Sequence, residues 1–420
     1  MIVDKIIRRK RDEPLSEADY SAAKKELLSE LQALTEFADV DEFTPEERIA
    51  RALTDDIYFA RTYLPHYFKS DTQAEFHDEI FSAMDLREKP IVLTAFRGAA
   101  KSTIVMTKIL KWMLYRQRRF IVEVLDTEDK AEMYTLAILT ELQSNRRILQ
   151  DFGLRVSKDA ARGNFLSFDP ETKERHCRLM AWGLQMSMRG LRDGDMRPDA
   201  VIVEDAQDSE GAMSEGRTKK AIRTIVQDYR YALAASDWFL MVIGNVIRSN
   251  SLIDQFLKKA KSWIRLIYPA ERKDASGNRV ATWPGPFPLE KLDQMRNDSE
   301  VGGEAVYRAE MLCEAVEMDG LFKESWFRHH DNSIYPGFNT KAMYMQCDPS
   351  FSDTGDNKAF VIGAPYALKK EDEHYGTVCD ATGKPLTEGL YYVLLDIFNR
   401  KCSIDESIEV MYKWNDRWHP

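Results

Sequence analysis

The sequence predicts an α/β protein built on an open, mostly parallel sheet flanked by helices. Short aliphatic and β-branched runs recur at 91–96, 120–125, 178–182, 200–203, 238–243 and 264–268. Helical stretches alternate with them, and the runs are almost continuously apolar, as strands covered on both faces by crossover helices must be. Composition agrees, since 420 residues with 44% hydrophobic and 30% charged side chains fit two or three ordinary domains and exclude wholesale disorder.

The longest strongly apolar stretch, 238–247, is too short to span a bilayer and contains Gly244 and Asn245, which excludes an integral membrane protein. At the start, MIVDKIIRRKRDEP places its charges after the apolar segment, the reverse of a secretory leader, and a cytosolic location is expected. The cysteines (Cys177, Cys313, Cys347, Cys379 and Cys402) lack metal-ligand spacing and read as reduced, structural thiols. With 59 Lys and Arg against 69 Asp and Glu the net charge is −10, so the chain as a whole is no polyanion binder. Local basic clusters stand at 8–11, at Arg116, Arg118 and Arg119, and at Lys258, Lys259 and Lys261, where a solvated face is the plainer reading.

Taken in order, residues 16–64 carry helical spacing (Leu27, Leu28, Leu31, Leu34), and Thr44-Pro45-Glu46-Glu47 reads as a capped helix start. The strand-rich region follows Pro90. Breakers at Asp274-Ala275-Ser276-Gly277-Asn278 and Trp283-Pro284-Gly285-Pro286 mark a boundary. A helical segment at 290–313 leads to strands at 342–348, 359–364 and 390–397, of which the first two are close enough to pair as a hairpin, and to a helix at 403–418. The organisation expected is a helical N-terminal region (1–57), a main α/β domain (58–270), a connection (271–335) and a second domain (336–420).

Three segments carry chemistry. The strand at 91–96 runs into Arg97-Gly98-Ala99-Ala100-Lys101-Ser102-Thr103 and then a helix, the context in which backbone N–H groups wrap phosphates, a lysine neutralises them and a hydroxyl meets magnesium. The strict GxxxxGK[ST] pattern fails, because Ala95 and Ala100 stand at both glycine positions, and a plain helix start is the alternative. Next, the run at 200–203 ends in Glu204-Asp205, where a magnesium ligand and a water-activating carboxylate belong, with a helix cap as the alternative. The run at 239–243 ends in Gly244-Asn245, suited to sensing a γ-phosphate, with a simple turn as the alternative.

In this order, with Phe76-His77-Asp78-Glu79-Ile80 before the loop and Ser187-Met188-Arg189-Gly190 before Arg197-Pro198-Asp199, the segments resemble the large terminase subunit, the DNA-packaging motor of tailed bacteriophages and prophages. The resemblance covers about residues 58–396 and implies a P-loop ATPase of the ASCE type that binds ATP and Mg2+. It implies that Arg97 reaches the γ-phosphate in cis, that Gly98, Ala99, Ala100, Lys101, Ser102 and Thr103 hold the phosphates, and that Ser102 meets the metal. Glu204 would be the Walker B acid, Asp205 the catalytic carboxylate and Gly244-Asn245 the coupling motif. Glutamate in place of the commoner aspartate leaves open whether Glu204 or Asp205 touches the metal. Gln73 would read the adenine edge, and a solvent-facing glutamine is the equal alternative.

By the same resemblance the chain is expected to translocate double-stranded DNA in the bacterial host cytoplasm, as a homo-oligomeric ring on the phage portal protein, with the small terminase subunit as a further partner. The segment 343–350, with Asp348 at a strand end, looks like the opening hairpin of an RNase H-like nuclease domain, in which two divalent cations, Mg2+ or Mn2+, are clamped by several carboxylates. Asp348 matches the first of these; the later ones fall beyond Pro420, so the nuclease is expected to be incomplete, with Asp396 a candidate extra ligand or a strand-end turn acid. Two rivals stand beside this reading: another DNA-stimulated P-loop ATPase of helicase type, and a catalytically idle, terminase-derived scaffold that binds the portal.

Overall fold

The computed structural model describes residues 16–33, 43–68, 73–157, 163–208, 211–212, 214–297, 303–315, 344–348, 358–371, 387–400 and 403–418. The chain divides into two compact units, 1–318 and 319–420.

The first unit is organised by an eight-stranded sheet in the order β3-β4-β5-β2-β6-β7-β1-β8. Its strands are β1 (Ile91–Ala95), β2 (Phe120–Leu125), β3 (Arg155–Val156), β4 (Asn164–Phe168), β5 (Arg175–Gly183), β6 (Ala200–Glu204), β7 (Phe239–Ile243) and β8 (Ile264–Tyr268). From β5 to β8 every pairing is parallel, while β3 and β4 add antiparallel strands at one edge. All residues of β1, β2, β6 and β7 are buried, which is why their sequences are almost wholly apolar, with Thr94, Glu123 and Glu204 as the polar members. The edge strand β8 instead alternates half-buried and exposed positions.

Side chains alternate across the sheet and feed two cores. Ile91, Leu93, Ile121, Ile202 and Met241 pack with α5 (Lys101–Leu114) and α6 (Glu128–Ser144) on one side. Val92, Val122, Val201 and Val242 pack on the other with Ile225, Tyr229 and Phe256. The last three lie on a helix, Glu215–Arg223, that continues through a π-helical stretch at Thr224–Tyr229, and on the helix Leu252–Lys259.

The N-terminal helices α1 (Glu17–Ala33), α2 (Pro45–Thr54), α3 (Asp56–Tyr63) and α4 (Glu75–Met84) precede the sheet. The expected cap of α2 is present as a reciprocal capping box: Thr44 accepts from the Glu47 N–H at 3.3 Å, and Glu47 accepts from the Thr44 N–H at 2.8 Å. Buried charges fasten this layer, with Lys108 of α5 donating to Asp56 (2.8 Å) and Asp85 (2.8 Å), and Arg48 donating to Asp151 through Nε at 2.8 Å.

The basic cluster at 116–119 requires a correction. Arg118 is fully buried, with its guanidinium against the Trp112 and Phe239 rings and donating to the carbonyls of Asp199 (3.1 Å) and Asp237, so it is unavailable to a nucleic acid. Burial lowers its pKa to about 10.

Residues beyond β8 also belong to this unit: a hairpin of β9 (Glu271–Lys273) and β10 (Arg279–Ala281), then the helices Leu289–Asn297 and Gly303–Met311. Both lie within the helical segment expected from the sequence, on either side of residues outside the described set. The second helix returns to the sheet through the bond from the Ala270 N–H to the Met311 carbonyl, 2.7 Å.

The second unit holds an antiparallel meander, β11 (Tyr344–Asp348), β12 (Lys358–Leu368) and β13 (Gly389–Arg400), followed by the helix Ile404–Trp418. The expected hairpin pairing of the first two strands is present. Phe360, Ile362 and Trp414 form its core, with Met345 and Phe398 against them. No helix among the described residues is long and apolar enough to cross a membrane.

Candidate nucleotide site

Open parallel sheets present their functional loops at the carboxyl ends of the strands. In this sheet β7 lies between β1 and β6, so the loop after β1 and the acid pair after β6 flank the Gly244-Asn245 turn. Three motifs far apart in sequence therefore meet at one edge.

The loop after β1 is bent by two residues with positive φ, Gly98 (89°) and Ala100 (63°). Ala100 is the N-cap of α5, in the left-handed conformation where a glycine would be unstrained. Lys101 opens the helix, and its buried Nζ donates to the Ala95 carbonyl (2.9 Å) and to Asn245 Oδ1 (2.7 Å). Burial pulls its pKa below the ordinary lysine range, while the charges of Asp205 and Glu204 oppose that shift. Ser102 Oγ donates to Glu204 Oε1, so the hydroxyl and the carboxylate proposed for one metal are already in contact. Thr103 is half-buried and its carbonyl accepts from the Thr107 hydroxyl at 2.7 Å.

Asp205 follows with φ 41°, its N–H donating to the Ile243 carbonyl at 3.0 Å. A Cβ at Gly244 would lie 3.1 Å from Ile253, a tight contact, and 3.4 Å from Asp205 Oδ1, so a side chain there would press on Ile253 and touch the acid. Asn245 spans the site, accepting from Lys101 and donating through Nδ2 to Glu310 Oε2 at 3.0 Å.

Sequence reasoning missed Glu310. It arrives from the helix Gly303–Met311 and takes both arms of Arg97, Nε at 2.7 Å and Nη2 at 2.6 Å, while the Arg97 N–H donates to its carbonyl at 2.8 Å. Burial alone would raise the Glu310 carboxyl, but the hydrogen bonds and charge of Arg97 outweigh it and hold the pKa below the ordinary value. Arg97 is thus paired with a carboxylate in this state.

Glu123 was also missed. It lies on β2 in register with Ile202, two positions short of Glu204 along the neighbouring strand, fully buried and with neither oxygen hydrogen-bonded among the described residues. Burial pushes its carboxyl well above the ordinary range, and the charge of Glu204 adds to the shift. A single acid inside Phe120-Ile121-Val122-Glu123-Val124-Leu125 was the available signal.

Gln73 is exposed, and its amide forks onto Asp78 at 2.8 and 3.0 Å, so in this state it serves the first turn of α4. In the second unit the ladder puts residue 348 opposite Ala359 and residue 396 opposite Ile362. That odd offset of three places the two positions on opposite faces of the meander, and Asp396 lies 3.8 Å from Arg417 of the following helix.

The donor set at the first site suits magnesium, because Ser102 and Glu204 are hard oxygen donors. Among the described residues no three His, Cys, Asp or Glu side chains form a metal cage. Mg2+ commonly takes only one or two protein ligands beside phosphates and waters.

Neither the family models nor the curated proteins compared with the chain give a match. Among solved structures, the chain is similar to the large terminase of bacteriophage HK97, with 13% identity and a TM-score of 0.39 over 89% of this chain and 73% of that one. It is similar to the large terminase ATPase domain of Thermus phage P74-26, with 14% identity and a TM-score of 0.37 over 56% of this chain and 93% of that one. The large terminase of a thermophilic bacteriophage, solved in complex with ADP, is 12% identical with a TM-score of 0.35, over 88% of this chain and 74% of that one.

Proposed function

We propose that the chain is a magnesium-dependent ATP hydrolase that drives double-stranded DNA translocation, the motor of a phage packaging machine. One observation carries the hydrolase part: a buried lysine at the start of a helix, bonded to Asn245, beside a serine hydroxyl already on Glu204, all at the carboxyl edge of a parallel sheet. The order of the sequence motifs supports the DNA-packaging part, and with it the portal, the small subunit and a ring of copies as partners.

The chemistry follows from the residues. The amides of 98–103 and the Lys101 ammonium would bind the triphosphate, and Ser102 with Glu204 would hold Mg2+, which supplies charge neutralisation at the phosphates. Asp205 would orient and deprotonate the attacking water. Arg97 would stabilise charge on the transferred phosphoryl group, which requires it to leave Glu310. Asn245, bonded to Lys101, would register the change.

The idle-scaffold reading is favoured by one feature: both phosphate-site cations already have protein partners, Arg97 on Glu310 and Lys101 on Asn245 and Ala95. Magnesium-dependent ATP turnover, with and without linear double-stranded DNA, separates the two. Turnover that rises with DNA and vanishes in Lys101→Ala is expected. No turnover in the wild type, or wild-type turnover in Lys101→Ala, would overturn the assignment. ATP-driven strand separation would favour a helicase-type enzyme.

A further inference from the structure

Two segments depart from the acidic balance of the chain. Residues 189–197, in the connection from β5 to β6, and residues 215–231 together carry eight Lys and Arg against four Asp and Glu, in a chain of net charge −10. They meet along a cavity of about 320 Å³, with Arg189 and Arg197 on one wall and Gln227, Asp228 and Tyr231 on the other. The walls are bonded to each other: Arg189 Nε donates to Asp228 Oδ1 at 2.6 Å, and Arg197 Nη1 donates to the Tyr231 carbonyl at 3.3 Å. Both arginines are exposed, and their remaining N–H groups bond to no protein atom among the described residues.

The helix carries this cavity on into a surface. Ala221, Ile225 and Tyr229 are buried with Val201 and Val242, which leaves Lys220, Arg223, Gln227 and Tyr231, at spacings of three and four, exposed in one stripe. The π-helical turn at Thr224–Tyr229 adds a residue within the stripe, so Gln227 and its neighbour Asp228 both reach the cavity. Three of the four acids are already taken, Asp193 by Arg178, Glu215 by Lys219 and Asp228 by Arg189. Lys220 and Arg223 have no partner among the described residues. Like charges at helical spacing repel each other, and a polyanion laid over them relieves that repulsion while releasing its own counterions.

A small anion would fill the cavity and leave the stripe bare. From Lys220 to Tyr231 the stripe runs about 16 Å at 1.5 Å per residue. One strand of a duplex presents about five phosphates over that length, at 3.4 Å along the axis. The Tyr231 hydroxyl and the Gln227 amide, standing among the cations, are suitable donors to phosphate oxygens.

We propose that this surface, from the cavity between Arg189 and Tyr231 along Arg223 and Lys220, holds the phosphate backbone of double-stranded DNA. The proposal rests on reading the chain as a DNA translocase and names the residues of the first unit on which the duplex lies. Phosphate contacts position a duplex without reading its sequence, as a motor that passes every sequence requires.

The test measures binding of a fluorescent duplex of mixed sequence by anisotropy, from about 50 to 200 mM salt. It compares wild type, a triple variant carrying Arg197→Ala, Lys220→Ala and Arg223→Ala, and a control carrying Lys259→Ala and Lys261→Ala, which removes two exposed cations elsewhere. Affinity about fivefold weaker for each cation removed at the lowest salt is expected, with a plot of log K against log salt shallower by about 0.9 per cation, or about 2.7 in the triple variant. The control should bind as wild type does, and ATP turnover without DNA should be unchanged in the triple variant. Wild-type affinity and slope in the triple variant, or an equal loss in the control, would overturn the surface and leave the translocase reading standing. Poly-glutamate binding more tightly than the duplex, and lost in the triple variant, would assign the surface to an acidic protein partner and overturn the proposal. A wild type that hydrolyses ATP but binds no duplex would overturn both. If Arg197→Ala disturbs folding, Lys220→Ala with Arg223→Ala carries the test, with a slope change of about 1.8.

Discussion

If Arg97 meets a γ-phosphate as proposed, Glu310, which holds both arms of that arginine, competes with it, so Glu310→Ala is expected to tighten ATP binding. Hydrogen bonds to charged groups contribute about 1.5–3 kcal/mol when buried. The side chains of Arg97 and Glu310 are 46% and 32% exposed, so solvent screening reduces the pair to about 1 kcal/mol. Releasing Arg97 from that competitor corresponds to about fivefold tighter binding. The gain should shrink between low and high salt, because a partly exposed pair is screened as the Debye length shortens. A fluorescent-nucleotide titration at several salt concentrations measures it, and steady-state turnover shows whether the freed arginine also raises the rate. In an Arg97→Ala background the effect of Glu310→Ala should disappear, which a double-mutant cycle resolves. Unchanged or weaker binding in folded Glu310→Ala would refute the reasoning, since the pair would then not compete with phosphate.

The acid pair should separate: Asp205→Asn is expected to keep nucleotide binding and lose hydrolysis, whereas Glu204→Gln weakens the magnesium dependence of binding, because it is Glu204 that touches Ser102. Reversed phenotypes in binding and turnover assays would exchange the roles. Asp396→Asn should leave any plasmid nicking unchanged, since its register position is on the face opposite residue 348; a loss confined to that variant would show the ladder to be otherwise. For His77, which is buried, the folded pKa of about 4 lies below the unfolded 6.5, so the unfolded chain binds more protons in that window and stability falls as pH drops from 6.5 towards 4. His77→Gln should flatten the plot of the urea-derived unfolding free energy against pH there by up to about 3 kcal/mol, and an equally steep plot would show that other groups carry the acid sensitivity.

The parallel strands were legible because burial on both faces leaves unbroken aliphatic runs, as in Phe239-Leu240-Met241-Val242-Ile243. β4, Asn164-Phe165-Leu166-Ser167-Phe168, escaped because it buries only alternate residues and its short pattern resembles a loop. Lys101, Ser102, Glu204 and Asn245 were visible because each ends or follows the strand that positions it. Glu310 and Phe287 were not, since they reach the loop from about 200 residues away, a distance that no local pattern encodes. Arg118 misled because its neighbours Arg116 and Arg119 make a cluster whose composition says nothing about which member turns inward.

That inward arginine has a mechanical consequence. Arg118 fastens the start of β2 to the residues that open β6 and β7, and the Asp199 carboxylate answers by accepting the N–H groups of Arg119 (2.7 Å) and Phe120 (3.0 Å). Next to it, the Glu88 N–H donates to the Trp238 carbonyl at 2.9 Å and the Ile264 N–H to that of Pro90 at 3.0 Å. One end of the sheet is thus cross-tied strand to strand, while the opposite end carries loops held by side chains that a ligand can displace. Sliding one strand past its neighbour at the tied end would break several of these bonds at once, whereas a rearrangement confined to the loops at the other end would leave them intact.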